Sequence, residues 1–425
     1  MVSGCAKHMK DCGLRGEQPM SGEKNGVKFV QFSDVHLDAS LRDSKLALSE
    51  EKRQQRQREI KQIVAGACSL ARERKCDVVL APGDLFDDES ANFDTIHFLI
   101  DTFRSASPLP IFIAPGNHDP CFPQSPYNTD FLVEKGIPPW PDNVHIFSSG
   151  AFQTVRVPGR EDVAVTGIAS IGRGIEQKRI LSQRIPTAGD AFNILLFHGS
   201  REPFPPGKEA TMPFNDRELL SQGFDYAAVG HYHTYSEIRD RDGRIRAAYS
   251  GTPTSQRLNE EGEKFVLVGE VSDSRVIKLE TVKLDHRTLR VVEVNCTGLT
   301  HSEAVIRRIE DEAGKASQDS DDILFVKLLG VLPRGVSLNL PPDLLAGKYF
   351  HVAVDQGGLR PDYDLQKYLR EPSLMRSVEG EFIKALSNRE AMTQDEKEKR
   401  LIRAALYYGL DALTEGEMIS LRYED

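Results

Sequence analysis

The sequence predicts an α/β fold, with a smaller α+β unit and a helical tail towards the C-terminus. Strand-like and helix-like segments alternate from residue 28 to residue 114, a pattern typical of a sheet covered by helices. Short apolar runs follow up to residue 271 with only brief helices between them, and a second sheet packed on the first would bury them. A length of 425 residues exceeds what one hydrophobic core usually covers, which favours more than one unit.

The first part of the chain alternates strands with amphipathic helices. A helix is predicted from Ser49 to Arg74 because apolar residues recur every three or four positions, and Ser49 is a suitable N-cap. The other predicted elements here are strands over 28–33, 78–81 and 111–114 and a helix over 93–103. The later strand-like runs are 144–147, 152–157, 163–168, 193–197, 226–229 and 265–271.

A change of character near residue 276 predicts a domain boundary. Beyond it, strand-like segments at 290–294 and 323–329 flank an amphipathic helix from Ser302 to about Glu312, and a further strand is predicted at 349–354. The helical tail carries an apolar stripe formed by Leu401, Ala404, Ala405 and Tyr408. The predicted units are a disordered leader (1–26), an α/β domain (27–275), an α+β domain (276–370) and the tail (371–425).

Composition argues against a membrane-spanning, a secreted and a disulfide-rich protein. Hydrophobic residues make up 39% and charged residues 28% of the chain, which is ordinary for a globular protein. No apolar run is long enough to span a membrane, and the first 26 residues lack the apolar core of a secretory signal, so a cytoplasmic protein is expected. The six cysteines form no C-x-x-C pair, which favours reduced thiols over a disulfide framework or a zinc ribbon.

The net charge of -10 argues against an affinity for polyanions along the whole chain. It does not exclude a nuclease, because two bound dications would reverse the sign of the field where a phosphate must sit. A basic run from Lys52 to Lys61, KRQQRQREIK, fits either contact with a nucleic-acid backbone or a solvated helix face.

Five short polar motifs follow apolar runs in a fixed order. They are Asp34-Val35-His36, Gly83-Asp84, Gly116-Asn117-His118-Asp119, His198-Gly199 and Gly230-His231-Tyr232-His233. Because each motif follows a predicted strand, all five are placed on the carboxyl edge of a sheet, where open α/β folds bind ligands. Two carboxylates, an amide and several imidazoles can hold two divalent metals side by side, an arrangement suited to displacing an oxygen at phosphorus.

Individual roles follow from spacing and donor chemistry. Asp34 and His36 alternate at a strand end, so both side chains point to the same face. Asp84, exposed by a tight turn, is a candidate for a ligand shared by two metals. In the third motif His118 can project past the metals towards the leaving group, and Asp119 is expected to hold its imidazole and favour the protonated form. The remaining predicted metal ligands are Asn117, through its carbonyl oxygen, His198, His231 and His233.

The motif order D-x-H, G-D, G-N-H-D, H, G-H-x-H resembles the calcineurin-like metallophosphoesterase superfamily over roughly residues 28–270. Four segments resemble the SbcD-type DNA repair exonuclease subunits and the YhaO-like proteins. These segments are Phe32–Leu37, Gly83–Asp87, Phe197–Gly199 and Tyr249–Pro253. Archaeal and eukaryotic relatives carry a histidine where this chain has Asp87, so the bacterial branch is the better match.

The resemblance implies a four-layered α/β/β/α sandwich followed by an α+β capping domain. It implies one metal held by Asp34, His36, Asp84 and His233, and a second held by Asp84, Asn117, His198 and His231, with Mn²⁺ as the expected occupant. It further implies that a hydroxide between the metals attacks phosphorus in line while His118 stabilises the developing charge or protonates the departing oxygen.

The leading hypothesis is therefore a metal-dependent phosphodiesterase that acts on DNA as an SbcD-type exonuclease subunit. One alternative is a phosphodiesterase of nucleotides or other small phosphoesters, which the acidic balance keeps open. Another is a partner-binding scaffold with a vestigial site, against which the complete ligand set argues. The resemblance places an SbcC-like SMC-family ATPase on the C-terminal helices as a possible partner and raises the possibility of a homodimer.

Overall fold

The computed structural model describes residues 26–87, 92–204, 210–272, 276–333 and 336–415. Apart from Gly26, the predicted leader lies outside these residues, as does the end of the predicted tail at 416–425. In chain order the strands are β1 (Lys28–Gln31), β2 (Val78–Ala81), β3 (Ile111–Ile113), β4 (Val144–Ile146), β5 (Gln153–Val157), β6 (Arg160–Gly167), β7 (Phe192–His198), β8 (Tyr226–Gly230), β9 (Ser236–Arg239), β10 (Ile245–Tyr249), β11 (Val266–Val271), β12 (Ile277–Val282), β13 (Leu289–Asn295), β14 (Ile323–Leu332) and β15 (His351–Pro361).

The α-helices connect and cover these strands. They are α1 (Glu50–Glu73), α2 (Phe93–Ser105), α3 (Thr129–Glu134), α4 (Arg173–Glu176), α5 (Asp216–Ser221), α6 (Ser302–Ala316), α7 (Leu365–Arg370), α8 (Pro372–Met375), α9 (Val378–Met392) and α10 (Glu396–Glu415). Within the described ranges, none of them combines the length and the apolar character that crossing a bilayer requires.

Strands β1 to β12 form two six-stranded sheets. The first sheet has the order β12-β11-β1-β2-β3-β4, and β1 to β4 run parallel in it. The second has the order β5-β6-β7-β8-β10-β9, with a parallel centre made of β6, β7, β8 and β10. Parallel neighbours need a crossover connection, and α1 and α2 supply the crossovers from β1 to β2 and from β2 to β3.

The first sheet extends further than the sequence predicts. The sequence assigns 144–147 and 265–271 to the second sheet, whereas β4 pairs with β3 and β11 pairs antiparallel with β1. Strand β12 then continues the first sheet to Val282, beyond the predicted domain end at residue 275. An apolar run indicates that a strand is buried, but it does not identify the strand with which it pairs.

Helices cover the outer face of each sheet and produce four layers, α/β/β/α, as predicted. Successive strand residues point to opposite faces, so Val30 shares the core beneath α1 with Ile60, while Phe29 shares the core between the sheets with Ile194. The next residue of β7, Leu195, faces the outer side of the second sheet, where it shares a core with residues of α4 and α5. The carboxyl ends of β1 to β3 and of β7 and β8 lie together at one edge of these layers.

Helix α1 begins where the sequence predicts. The Ser49 hydroxyl accepts the backbone N–H of Lys52 at 3.3 Å and so caps the first turn. Glu50 and Glu51 lie in that turn, where negative charge is favourable next to the exposed amide groups.

Strands β13, β14 and β15 form a separate parallel sheet in that order. Helix α6 packs on it through Val305 and Ile309, which share a core with Val326 of β14. The other face contacts the segment before α1, where Leu48 packs with Phe325. The strands and the helix that the sequence predicts for this unit are all present.

Part of the basic run at the start of α1 is buried and forms ion pairs inside the fold. Arg56 is only 2% exposed and donates to both carboxylate oxygens of Asp285, at 3.0 and 2.9 Å. Arg287 donates to Glu59 at 2.6 Å, and its guanidinium lies 3.4 Å from the centre of the Phe350 ring. The run therefore joins α1 to the third sheet, which neither expectation from the sequence anticipated.

Replacing Asp285 by asparagine is expected to lower the free energy of unfolding by about 3 kcal/mol, because the buried Arg56 charge loses its main partner. Urea unfolding of the two proteins measures the difference. A matched control is Glu280→Gln, which removes an exposed carboxylate that pairs with Arg74 and should leave the midpoint nearly unchanged. An unchanged midpoint for Asp285→Asn would contradict the assigned role of the ion pair.

The ion pairs of Arg56 and Arg287 with Asp285 and Glu59 make the free energy of unfolding depend on pH in the acid range. Burial raises the pKa of Glu59, but hydrogen bonds from Arg287 and Arg56 outweigh burial and hold that pKa at about 2, and the Arg56 charge likewise keeps the pKa of the buried Asp285 below its usual range. A carboxyl whose folded pKa is depressed contributes stability above its ordinary pKa of about 4, and that contribution is lost as the pH falls through the folded pKa. Asp285→Asn should therefore lose less stability than the parent chain between pH 4 and pH 2.

The C-terminal helices pack on one another. Ile383 of α9 shares a core with Leu406 and other residues of α10. The predicted stripe is split by this packing, since Ala404 is buried whereas Leu401 is 62% exposed. Helical spacing alone therefore grouped residues that the fold divides between an internal contact and the surface.

Candidate metal centre

The five polar motifs meet at one edge of the two sheets. The first sheet contributes, after β1, β2 and β3, the side chains of Asp34, His36, Asp84 and Asn117. The second contributes, at the ends of β7 and β8, His198, His231 and His233. Because the strands that carry them are parallel within each sheet, their carboxyl ends share an edge, and the structure brings all seven predicted ligands together there.

We call the set Asp34, His36, Asp84 and His233 position 1. The Nε2 atoms of His36 and His233 lie 3.2 Å apart. His36 Nε2 is 3.8 Å from Asp84 Oδ2, and His233 Nε2 is 4.0 Å from Asp34 Oδ1. Two imidazole nitrogens and two carboxylates this close can share one cation.

We call the set Asp84, Asn117, His198 and His231 position 2. His198 Nε2 lies 3.2 Å from Asp84 Oδ2 and 3.0 Å from Asn117 Oδ1. His231 Nδ1 lies 3.3 Å from the same Asn117 oxygen. Asp84 Oδ2 therefore faces both positions, which is the arrangement that the sequence predicts for a shared ligand.

Four of these ligands have a backbone conformation that side chains rarely adopt. The φ angles are 54° at Asp34, 46° at His36, 51° at Asp84 and 110° at His231. Each such residue costs roughly 1–3 kcal/mol and persists only where its surroundings impose it. Here the Asp34 and His36 amides donate to the carbonyls of Gly83 and Asp84 at 3.1 Å, so two motifs fix each other. Positive φ angles at four of the seven predicted ligands are typical of a functional site.

The motif glycines allow the loops to approach closely. A Cβ on Gly116 would lie 2.2 Å from Asp84 Oδ1, and one on Gly230 would lie 1.9 Å from the Pro82 carbonyl oxygen. Any other residue would push Asp84 out of the centre or separate the two sheets at this edge. Glycine therefore precedes the ligands because the packing of the loops requires it.

His118 borders the site without entering the ligand set. Its side chain is 46% exposed, and its Nδ1 lies 3.1 Å from Asp87 Oδ1. That hydrogen bond raises the pKa of His118 above its ordinary value, which favours the protonated ring. The backbone N–H of His118 donates to Asp84 Oδ1 at 2.9 Å, so the main chain of this residue also steadies the shared ligand.

The predicted role of Asp119 is not what the structure shows. Its buried carboxylate accepts the backbone N–H groups of Gly116, Asp84 and Leu85, at 2.6, 3.0 and 2.7 Å, and the Tyr127 hydroxyl at 2.7 Å. Burial and the nearby Asp84 charge raise its pKa to about 7. Asp119 thus ties two motif loops together beneath the site, while Asp87 takes the contact with the His118 ring.

Charges inside the site set the pKa values of the ligands. Burial lowers the pKa of His198, but the Asp84 carboxylate raises it to about 10. Burial and the positive charge of His198 lower the pKa of His231 to about 3. Burial also lowers the pKa of His36, which Asp87 and Asp84 raise to about 9. A cation bound to these nitrogens replaces protons, so metal affinity should weaken in acid.

The donor set fits two divalent cations. It combines two carboxylates, one amide oxygen and four imidazoles, and such mixed oxygen and nitrogen donors suit divalent transition metals. The positive φ angles and the close loops hold these groups in place before any ligand binds. A cleft of about 490 Å³ opens above the centre. Its lining includes Asp84, His118, His231, His233, Phe204, Tyr232, Arg257, Asn259 and Glu260.

Two functional candidates escape the sequence reasoning. Asp87 lies at the end of the second motif and contacts both His36 and His118. The sequence marks this position only as a departure from the archaeal and eukaryotic relatives, without a role. Glu260 bonds His233 Nδ1 at 2.6 Å but lies in a short 3-10 helix, Leu258–Glu260, with no motif around it. Only the folded chain brings Glu260 to the site.

Comparison with known proteins gives two solved structures with low similarity and two distant sequence relatives. The protein TT1561 of Thermus thermophilus has a TM-score of 0.35 and 13% identity, covering 60% of this chain and 99% of that one. A dimetal phosphatase from Danio rerio has a TM-score of 0.37 and 13% identity, covering 60% and 98%. The uncharacterized metallophosphoesterase YhaO of Bacillus subtilis (strain 168) is 24% identical over 264 residues, 61% of each chain, so the match spans less than two thirds of that relative.

The alignment with a further relative covers more of the chain. The DNA double-strand break repair protein Mre11 of Saccharolobus solfataricus is 25% identical over 313 residues, which is 72% of this chain and 75% of that one. Residues 27–235 match the calcineurin-like phosphoesterase family, and they contain all seven predicted ligands. The chain thus carries a calcineurin-like phosphoesterase domain, as the order of its motifs predicts.

Proposed function

We propose that the chain is a dinuclear-metal phosphodiesterase that degrades DNA as an exonuclease and uses Mn²⁺. The observation that carries the proposal is the convergence of seven ligands on two adjoining positions, with His118 exposed beside them. Two cations, when bound there, supply an activated water and neutralise charge on the phosphoryl oxygens. Manganese is the occupant that the resemblance implies, and the carboxylate and amide oxygens of the site suit it.

His118 is the side chain placed to act on the substrate. Its Nδ1 is engaged by Asp87, so its other ring nitrogen is the one available to a phosphodiester in the cleft. A protonated imidazole there stabilises the charge that develops on the phosphoryl group or donates a proton to the departing oxygen. Asp87 holds the proton on Nδ1 and keeps the ring orientation fixed.

Two observations favour DNA over a small diester. The Saccharolobus solfataricus relative is described as a double-strand break repair protein, and its alignment exceeds the 27–235 domain. Within the cleft, Phe204, Tyr232 and Arg257 lie next to the ligands, and aromatic and guanidinium groups of this kind stack on bases or bind phosphates. Such a lining suits the end of a polynucleotide.

A side-by-side assay with Mn²⁺ tests the proposal. The substrates are end-labelled linear duplex, single-stranded DNA and cyclic dinucleotides, and the background control is the same chain carrying Asp84→Asn. Progressive shortening of DNA from its ends is expected. Hydrolysis of the cyclic dinucleotides alone would overturn the DNA assignment in favour of small phosphodiesters. Tight Mn²⁺ binding with no hydrolysis of any substrate would instead support a scaffold.

We also propose that α10 binds an SMC-family ATPase of the SbcC type through its exposed apolar side chains. Leu401 and Leu413 both face solvent on this helix in the part of the chain that the structure describes. Leu401→Glu should abolish capture of such an ATPase while leaving hydrolysis of a small diester unchanged. Val133→Glu, at an equally exposed position on α3, is the matched control. Undiminished capture by Leu401→Glu would contradict the proposal.

A further inference from the structure

Two carboxylates outside the seven predicted ligands contact the histidines of position 1. His36 Nδ1 donates to Asp87 Oδ1 at 2.7 Å, and His233 Nδ1 donates to Glu260 Oε1 at 2.6 Å. The opposite nitrogens of the same rings, the two Nε2 atoms, are those that lie 3.2 Å apart at position 1. We call Asp87 and Glu260 the outer carboxylates. They hold both rings so that the Nε2 atoms face inwards, where a cation would replace any proton on them.

Position 2 is supported differently. His198 Nδ1 donates to the Pro82 carbonyl oxygen at 2.9 Å, a neutral acceptor. His231 directs Nδ1 to Asn117, and among the described residues no carboxylate is hydrogen-bonded to either of its ring nitrogens. The two positions share Asp84, but only position 1 has negative charge behind both of its imidazoles. Their affinities for a cation should therefore differ.

We propose that Glu260, together with Asp87, is a positioning residue that makes position 1 the tighter of the two metal positions, so that position 1 fills first. The inference rests on the proposed dinuclear centre and assigns its order of filling. A carboxylate on the far nitrogen of an imidazole fixes the tautomer and raises the basicity of the coordinating nitrogen, and losing one typically weakens metal binding about 10–100-fold.

Glu260 is held in place before any cation binds. Its side chain is 5% exposed, and its second oxygen accepts the backbone N–H groups of Gln256 and Arg257 at 2.7 and 3.1 Å. Two residues further on, the Gly262 N–H donates to the Leu289 carbonyl at 2.9 Å, which anchors the segment to β13 of the third sheet. A carboxylate fixed in this way needs little rearrangement when His233 takes up a metal.

Glu260 gives a cleaner test than Asp87, because Asp87 also contacts His118. Calorimetric titration of the full chain with Mn²⁺, after chelation and dialysis, should show two classes of site in the parent protein. Glu260→Gln should weaken the tight class by about 10-fold and Glu260→Ala by about 100-fold, with the weak class unchanged. Glu263→Gln removes an exposed carboxylate nearby and is the matched control.

Electron paramagnetic resonance gives a second readout that does not depend on activity. With one Mn²⁺ per chain, the parent protein should show mainly an uncoupled ion, and with two a coupled pair. In Glu260→Ala the two affinities approach each other, so the signal of the single ion should differ from that of the parent because part of the Mn²⁺ occupies position 2. Urea unfolding of the metal-free variants verifies that they are folded. If the parent chain binds fewer than two ions, the proposed function fails. If it binds two and the Glu260 variants match Glu263→Gln, only the present inference is overturned.

Discussion

Replacing Asp84 by asparagine is expected to abolish hydrolysis and to empty both metal positions together. One oxygen, Oδ2, lies 3.8 Å from His36 Nε2 and 3.2 Å from His198 Nε2, so a single atom serves positions 1 and 2. Metal ions supply several kcal/mol of transition-state stabilisation, and losing that corresponds to a fall of about 10³-fold or more in kcat. Elemental analysis after dialysis against Mn²⁺ measures occupancy, and hydrolysis of bis-p-nitrophenyl phosphate measures turnover.

The control for Asp84→Asn is a buried carboxylate at the opposite end of the second sheet. Asp225 accepts the Asn193 N–H at 2.8 Å at the start of β7, away from the ligands. Asp225→Asn should lower the free energy of unfolding, but it should change neither the metal content nor the ratio in which positions 1 and 2 are occupied. Asp84→Asn that retains both ions, or that loses one and keeps the other, would show that Asp84 is not shared.

The convergence of the seven residues could be predicted because each of their motifs is local. A buried strand followed at once by Asp34 or Asp84 places a carboxylate at a sheet edge, whatever the rest of the fold. The glycines add a second local signal, since Gly116 and Gly230 stand where a Cβ would collide with another loop. A residue that directly follows a strand in the chain must lie at the end of that strand in space, so the order of the motifs is enough to place these side chains at one edge.

The role of Asp119 could not be predicted in the same way. Asp119 follows His118 in the chain, but its carboxylate bonds the Gly116 and Leu85 amides beneath the site, while the His118 ring faces the cleft. The carboxylate that reaches the ring comes from another loop, at Asp87. A sequence neighbour is therefore a poor guide to the partner of an imidazole when the two side chains diverge.

Contacts between residues that are brought together only by tertiary packing leave no recognisable pattern in the sequence. Arg56 stands in a basic run typical of a solvated helix, yet it is buried against Asp285, which comes from the approach to the third sheet. Glu260 meets His233 only because the segment after β10 turns back over the site. For both residues the partner is decided by tertiary packing, which composition and periodicity do not encode.

Replacing His118 by alanine should lower kcat by about 10²–10⁴-fold while sparing metal content. Its ring lies outside the ligand set, and its contribution to the shared ligand is a backbone N–H, which donates to Asp84 Oδ1 at 2.9 Å and is kept by alanine. Turnover and elemental analysis are measured on the same preparations. His301→Ala, at an exposed position before α6, is the control. Full activity in His118→Ala would refute the assigned role.

The choice of substrate separates the two ways in which His118 could act. If its ring donates a proton to the departing oxygen, the loss should be much larger with DNA than with bis-p-nitrophenyl phosphate, because p-nitrophenolate departs readily without a proton. If the ring stabilises charge on the phosphoryl group, both substrates should lose activity equally. The contact with Asp87 raises the pKa of His118, so the parent protein should lose activity as the pH rises through that value. That alkaline limb should be absent from His118→Ala under either role, since only the protonated ring is competent in both.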